Sequence, residues 1–317
     1  MSRSAPASSL LSWESTTSQT PTSRSTLNFS RRSTSTKELN RAGRPCLDSG
    51  QPDQPKEDFV AATSDAVVLL DGAGTPTGSE SGCVHGVAWF ARRLGIALLS
   101  SMTRDDDSDL VASLAVAIRV VRSLHAHTCD LEHPGSPSAT VVALKIREHI
   151  LDYLALADSV LVLDLSTGLR VVTDDHEAQI GRQFRAQMDA LPNGTPEHEK
   201  AHRQYVKSLR AHRNRPGGFW VASTKPDAAA QALTGSVPRM QMRAAAVLSD
   251  GASRLVDRFG LARWEDVLKT LDTLGPRELL RQVREAEMGD LDGSRWPRGK
   301  VHDDATVAYC CAIGRPL

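Results

Sequence analysis

From residue 58 onward, segments typical of strands and of amphipathic helices alternate, and their order constrains the fold more than any other feature. A short aliphatic run leads into a Gly-rich turn, and two helical patterns follow it, with Ser108 expected to cap the second helix. Segments rich in β-branched and aliphatic residues then predict further strands. The expected strands are residues 66–70, 139–146, 153–165, 219–222, 243–248 and 305–312. Helices are expected over residues 252–288, and the first two helices should lie on a sheet.

The N-terminal region has a different composition from the rest of the chain. Residues 1–36 contain nineteen Ser or Thr, four Arg and one Glu, with no apolar periodicity, so they cannot bury enough apolar surface to fold. An organelle transit peptide has a similar composition but also an amphipathic helix, which is not evident here. Residues 37–56 lack a β pattern. We therefore expect a disordered tail over residues 1–54 and one domain over residues 55–317.

Charge and cysteine usage exclude several classes of function. Lys plus Arg and Asp plus Glu both total 38, so no net charge favours nucleic acid or an anionic membrane, and no apolar run is long enough to span a bilayer. The five cysteines include no Cys-x-x-Cys pair, which argues against a disulfide framework and a zinc site. The string His125-x-His127-x-Cys129 lacks a second ligand cluster. A reducing cytoplasm is the expected compartment.

Acidic residues stand at three strand ends, at Asp71, Asp250 and Asp303. Mg²⁺ and Mn²⁺ prefer oxygen ligands, and a carboxylate at a strand end is both fixed and exposed. Glycine follows Asp71 and Asp250 and lets a backbone carbonyl approach an ion. Any single Asp-Gly pair is more simply explained as a tight turn. The three positions together favour a metal site.

The motifs occur in an order that resembles the type 2C metal-dependent protein phosphatases, a family also called PPM, in its bacterial form. The segments that carry the resemblance are Glu57-Asp58-Phe59, Val67 to Gly74, Ser138-Ala139-Thr140, Ala157-Asp158-Ser159, Leu248 to Gly251 and Asp303 to Thr306. This resemblance implies an α+β fold, a four-layer α-β-β-α sandwich of two antiparallel sheets flanked by helices. It also implies a phosphorylated protein as partner, and we expect a monomer.

The resemblance assigns roles to particular residues. Asp71 would bridge two Mg²⁺ or Mn²⁺ ions, with the Gly72 carbonyl on one of them, and Asp250 and Asp303 would complete the catalytic pair. Glu57 and Asp58 would hold metal-bound waters, and Asp158 would bind a third, weaker ion. Asp304 stands where the family often has Asn, which implies a hydrogen bond. The implied reaction is hydrolysis of phosphoserine or phosphothreonine by a water between the two ions.

The chain departs from the family pattern in three places. The Arg that usually precedes the Glu-Asp pair and binds the substrate phosphate is absent, and Lys56 stands nearby. Ala73 replaces a His found in some relatives, and Ala157 replaces a Gly, a change that a strand end should tolerate. Residues 174–235 would form the flap beside the active site, with Trp220 either anchoring it or packing in the core.

Three other functions can be set against a metal-dependent phosphatase. A catalytically weak or silent phosphatase fold that binds a phosphoprotein or regulatory partner is the main one, although keeping three clustered carboxylates without cations would be costly. A haloacid-dehalogenase-type site at Asp164 fails because Ser166 stands where a second Asp is needed. The basic residues between 203 and 215 are best explained as a solvated helix face rather than a nucleic-acid site.

Overall fold

The structure, a computed structural model, describes residues 44–48, 55–76, 79–104 and 107–314. The predicted tail lies outside the described residues except for 44–48, which form a strand. The ten strands described are β1 Arg44–Asp48, β2 Phe59–Ala62, β3 Ala66–Ala73, β4 Ser138–Ile146, β5 Ile150–Leu156, β6 Val160–Leu165, β7 Gly168–Val172, β8 Leu233–Pro238, β9 Met242–Leu248 and β10 Ala305–Cys311.

Eight α-helices join these strands in the described part of the chain. They are α1 Val87–Met102, α2 Leu110–His125, α3 His176–Gly181, α4 Ala186–Asp189, α5 Pro196–Arg210, α6 Asp250–Asp257, α7 Trp264–Thr273 and α8 Pro276–Met288. The N-cap of α2 is Asp109, whose carboxylate accepts the Ala112 N–H, so the prediction of Ser108 was wrong by one residue. None of the described helices is long and apolar enough to cross a bilayer.

The strands form two antiparallel five-stranded sheets, which confirms the predicted fold class. One sheet has the order β1-β10-β9-β6-β7 and the other β2-β3-β4-β5-β8. Alternate residues of β3 point to opposite faces: Val67 and Leu69 pack between the sheets, while Val68 and Leu70 pack against α1 and α2. Helices α6, α7 and α8 cover the outer face of the other sheet. Burial on both faces explains why the strands are continuous apolar runs.

The sequence missed the first strand. Residues 44–48 were expected to lack β structure, but β1 pairs antiparallel with β10, from Arg44 opposite Tyr309 to Asp48 opposite Ala305. The Asp48 carboxylate also accepts a hydrogen bond from Arg284 Nε on α8 at 2.9 Å. An edge strand needs few apolar residues when one neighbour supplies its hydrogen bonds, so its own sequence carries little β signal.

The chain changes sheets between β5 and β6. Ala157 lies at this crossing with φ of 68°, in the left-handed region that favours glycine. The chain tolerates alanine here at a cost, because a Cβ in this region is unfavourable by about 1 to 2 kcal/mol. The sequence interrupts the run 153–165 at Ala157-Asp158-Ser159, and the turn there separates β5 from β6 and sets Asp158 at the end of both sheets.

Candidate active site

Five of the predicted site residues line one cavity of about 830 Å³, where strands from both sheets end. They are Glu57, Asp71, Gly72, Asp250 and Asp303. The sheet register explains the convergence. Phe59 pairs with Leu70, so the chain just before β2 lies beside the end of β3, and Leu248 pairs with Val307, so the chain after β9 lies beside the start of β10.

Asp58 is buried at the base of this group, with 6% of its surface exposed. Apart from the Thr306 hydroxyl, no donor among the described residues reaches its carboxylate oxygens. Burial raises the pKa of Asp58 to about 7; the Thr306 hydroxyl lowers it, and the nearby carboxylates of Asp250 and Asp304 raise it. A buried carboxylate with so few donors is costly, so these oxygens fit the hydrogens of water molecules held by a cation.

Asp71 and Asp250 contact each other across the cavity. The Asp250 backbone N–H donates to Asp71 Oδ2 at 3.3 Å. Burial raises the pKa of Asp71 well above its usual range, and the negative charges of Asp58 and Asp250 raise it further. Carboxylates that repel one another in this way become stable as anions only when positive charge lies between them. The structure therefore brings these two predicted site residues together.

Neither Asp-Gly pair is a turn. Gly72 lies inside β3, where an added Cβ would stand 2.5 Å from the Glu57 carbonyl oxygen. Gly251 lies in the first turn of α6, where an added Cβ would stand 2.0 Å from the Asp304 carbonyl oxygen. Both glycines are therefore required for close packing, which holds the segments that carry Glu57 and Asp304 against the strand ends.

Asp303 is held by two cationic side chains. Its Oδ2 accepts from Arg254 Nη2 at 3.0 Å and its Oδ1 from Lys300 Nζ at 2.9 Å. Although burial opposes the effect, Lys300 and Arg254 together lower the pKa of Asp303. Asp304 accepts the Glu57 backbone N–H at 2.6 Å, so it makes the hydrogen bond that was expected of it. Asp303 is thus fixed as an anion facing the cavity.

Asp158 extends the acidic group towards the flap, where it meets a residue that the sequence analysis missed. Glu177, in the first turn of α3, lines the same cavity. Burial raises the pKa of Glu177 well above its usual range, and Asp158 and Asp250 raise it further. Burial and Asp250 likewise raise the pKa of Asp158 to about 7. In the sequence, Glu177 is marked only by its place in residues 174–177, three of which are acidic. That pattern is typical of an ordinary polar helix start.

Two arginines from the predicted solvated face also line the cavity. Arg210 Nη2 donates to the Gly74 carbonyl at 2.6 Å and to Thr75 Oγ1 at 3.1 Å. Arg213 Nη1 donates to the Ser136 carbonyl and to Ser138 Oγ, each at 3.1 Å. The expectation of a solvated face was wrong for these two residues. They bring positive charge to the cavity, whereas Lys56 is exposed and does not line it.

The residues around the cavity fit divalent cations. Oxygen donors dominate the strand ends, and burial and mutual repulsion raise the pKa values of five carboxyl groups, those of Glu57, Asp58, Asp71, Asp158 and Glu177. Hard cations such as Mg²⁺ and Mn²⁺ prefer such donors. The Arg254 and Lys300 side chains leave part of the coordinating capacity of Asp303 free, because each carboxylate oxygen carries two lone pairs.

The raised pKa values predict how stability depends on pH. A carboxyl group whose pKa is higher in the folded than in the unfolded protein binds more protons when folded, so stability falls as pH rises from about 4 to about 7. The melting temperature of protein freed of Mg²⁺ and Mn²⁺ should therefore drop by several °C between pH 5 and pH 8. Saturating Mn²⁺ should restore more at pH 8 than at pH 5. Differential scanning fluorimetry checks this, and a metal-free curve that is flat would contradict it.

The chain resembles known proteins over most of its length. The family model for protein phosphatase 2C matches residues 42–286. No curated protein sequence matches the chain significantly. The catalytic domain of the serine/threonine phosphatase PstP, solved with two manganese ions, superposes with a TM-score of 0.51 and 18% identity, covering 85% of this chain and 96% of that one.

Two further structures have the same fold. PstP/Ppp of Mycobacterium tuberculosis has a TM-score of 0.52 and 17% identity, with 85% of this chain and 97% of that chain covered. Stp1 of Staphylococcus aureus has a TM-score of 0.52 and 15% identity, with coverages of 86% and 94%. Because the family model matches residues 42–286, well over half of the chain, the chain belongs to the protein phosphatase 2C family.

Proposed function

We propose that this protein hydrolyses phosphoserine and phosphothreonine on proteins, with Mg²⁺ or Mn²⁺ as its cofactor. The observation that carries the proposal is the convergence of Asp71, Asp250 and Asp303 on one cavity, beside the buried carboxylate of Asp58. None of the five cysteines forms a disulfide. Cysteines without disulfides are typical of a reducing compartment, so we place the activity in the cytoplasm.

The proposed roles follow from position. Asp71, Asp250, Asp303 and the Gly72 carbonyl would hold two cations, and Glu57 and Asp58 would accept hydrogen bonds from metal-bound waters. Asp158 and Glu177 would hold a third cation on the side of residues 174–235. When bound, the catalytic pair lowers the pKa of a water between the two ions and neutralises charge on the phosphoryl oxygens.

The phosphate group of the substrate needs positive charge that the usual N-terminal Arg does not supply. Arg210 and Arg213 line the cavity from the flap side, and the Lys300 ammonium lies beside Asp303. A guanidinium matches the geometry of a phosphate better than an ammonium does. We assign phosphate binding to Arg210, which contacts the loop after β3, so that the flap replaces the absent residue.

The deciding experiment measures release of phosphate from a phosphothreonine peptide and from an aryl phosphate. Turnover is expected with Mn²⁺ and is expected to fall to background with EDTA, because the carboxylates alone cannot activate water or neutralise the phosphoryl charge. Readdition of Mn²⁺ should restore it. A folded protein that shows no turnover with either Mn²⁺ or Mg²⁺ would contradict the proposal.

The second candidate function is a weak or silent phosphatase fold that binds a phosphoprotein. The observation that favours it is the pairing of both Asp303 oxygens with Arg254 and Lys300, which places protein cations beside the metal position. In that case the phosphopeptide should bind with similar affinity with and without Mn²⁺. Isothermal titration calorimetry separates the two functions, since an enzyme of the proposed kind turns the peptide over.

A further inference from the structure

A second group of metal-ligating side chains lies outside the carboxylate cavity. Cys83, His85, His125 and Cys129 each direct one ligand atom into a common space, and these atoms all lie within 4.8 Å of one another. Cys83 and His85 precede α1, His125 is the last residue of α2, and Cys129 follows one turn later. No step of the proposed phosphatase reaction uses any of the four.

The distances match a tetrahedral zinc site. Zn²⁺ binds sulfur at about 2.3 Å and imidazole nitrogen at about 2.0 to 2.1 Å, so tetrahedral geometry places two sulfurs about 3.8 Å apart and sulfur and nitrogen about 3.6 Å apart. Here the two sulfurs are 3.4 Å apart. Cys83 Sγ lies 3.6 Å from His125 Nδ1 and 3.9 Å from His85 Nδ1, and Cys129 Sγ lies 3.3 Å from His85 Nδ1. The four donors already stand near the corners of one tetrahedron.

The surroundings hold these side chains in place. His85 stacks on Trp89 with ring centroids 4.3 Å apart, and Trp89 also packs against His125 at 5.3 Å. The Asp130 N–H donates to the Gly82 carbonyl at 2.8 Å, and the Cys129 N–H donates to the His125 carbonyl at 3.0 Å. The backbone alone thus brings the segment before α1 against the segment after α2.

His125 is the most deeply buried member of the group, with 1% of the residue exposed. Its Nδ1 faces Cys83 Sγ, which is a weak partner for a buried imidazole. A metal ion in the common space would give this nitrogen a strong partner.

We propose that Cys83, His85, His125 and Cys129 form a structural zinc site that fastens the segment before α1 to the segment after α2. All four ligands come from the protein, so the site is closed to substrate, as structural zinc sites are. Binding releases the two thiol protons to solvent, and two thiolates neutralise the charge of the ion, which suits a half-buried position. The sequence showed no second cluster to accompany His125 and Cys129; in the structure Cys83 and His85 lie beside them, whereas His127 is exposed and does not belong to the group.

The site is connected to the walls of the carboxylate cavity. The loop after α2 continues to Gly135, whose carbonyl accepts Thr75 Oγ1 at 2.9 Å, and Arg213 Nη2 donates to the Pro134 carbonyl at 2.9 Å. Thr75 and Arg213 both line the cavity. Zinc would therefore hold one wall of the cavity without touching the substrate.

Metal analysis of the reduced, full-length protein tests the site. About one zinc per chain is expected, with at least a tenfold loss in Cys83→Ser/Cys129→Ser and no loss in the matched controls His127→Ala and Cys46→Ser. Replacement by Co²⁺ should give the visible spectrum of a tetrahedral ion and a thiolate-to-cobalt charge-transfer band. Asp250→Asn should keep its zinc, which separates this site from the carboxylate cavity.

Wild-type protein also provides tests that do not depend on the folding of a variant. Titration of thiols with an organomercurial should release one zinc as two cysteines react, detected with a colorimetric zinc dye. Zinc content unchanged in the double cysteine variant would overturn the proposal. A folded, reduced wild-type protein whose Co²⁺ complex shows no thiolate-to-cobalt band would also overturn it. So would purified protein in which Cys83 and Cys129 are joined by a disulfide.

Discussion

Asp250→Asn should lower Mn²⁺-dependent phosphatase turnover by about 10³-fold or more, with the fold intact. Asparagine has the same shape but no charge, so the cavity loses one of the anions that would hold the catalytic cations. Stability should change in the opposite direction. Asp250 raises the pKa values of Asp58, Asp71 and Asp158 by repulsion, so its neutralisation should raise the melting temperature of the metal-free protein.

Asp164→Asn is the matched control. Asp164 lies on β6, pairs with Arg243 at 3.5 Å and does not line the cavity. Its turnover should stay within about twofold of wild type, as expected for an exposed ion pair. If Asp250→Asn kept more than a tenth of wild-type turnover with the same Mn²⁺ dependence, Asp250 would not be a ligand of the catalytic cations.

In the same assay, Arg210→Met should raise KM more than it lowers kcat, because it removes phosphate binding rather than the metal site.

Glu287→Gln should destabilise the fold by about 3 to 5 kcal/mol, since it breaks a buried ion-pair network. Glu287 is fully buried and accepts from Arg254, from Arg284 Nη1 at 2.7 Å and from His302 Nδ1 at 2.8 Å. Glutamine fills the same space but removes the buried counter-charge shared by two guanidinium groups, which leaves Arg254 with Asp303 and Arg284 with Asp48 alone. Urea unfolding measures the loss, and turnover should fall as well because Arg254 positions Asp303.

Glu285→Gln provides the comparison on the same helix. Glu285 is exposed and pairs only with Arg281 among the described residues, so the change should leave the unfolding midpoint almost unaltered. Equal effects of the two substitutions would show that the buried network contributes little to the free energy of unfolding. A large loss confined to Glu287 would link the stability of α8 to the position of the catalytic carboxylate.

The sequence predicted the centre of the fold better than its edges. Strands β3, β4 and β9 are aliphatic because both faces are buried, so their pattern was visible. The strands β1, β7 and β8 lie at sheet edges and carry polar or turn-forming residues, so they were missed. Residues 219–222 were expected to be a strand, but only Ala222 bridges to β4, through Ala139. Trp220 packs with the core of α1 and α2.

The site was predictable where one short motif contains the functional residue. Asp71, Asp250 and Asp303 each follow or precede an apolar run, which fixes them at a strand end. Glu177, Arg210 and Arg213 come from the flap, where helix patterns are polar and the side-chain direction depends on tertiary packing. The same reason hid the zinc ligands, because residues 83 and 129 are far apart in sequence and meet only when α1 and α2 pack together.

The pairing of β1 with β10 has a consequence for biosynthesis. The strand nearest the start of the described chain cannot complete its sheet until residues 305–309 are available, some 260 residues later. Asp303 directly precedes β10, so the last carboxylate of the catalytic group arrives together with the strand that closes the sheet. Such distant pairing is slow to form. A nascent chain on the ribosome can therefore fold the α1-α2 half first, yet it gains a complete cation site, and with it any hydrolytic activity, only after residues 303–309 have been synthesised.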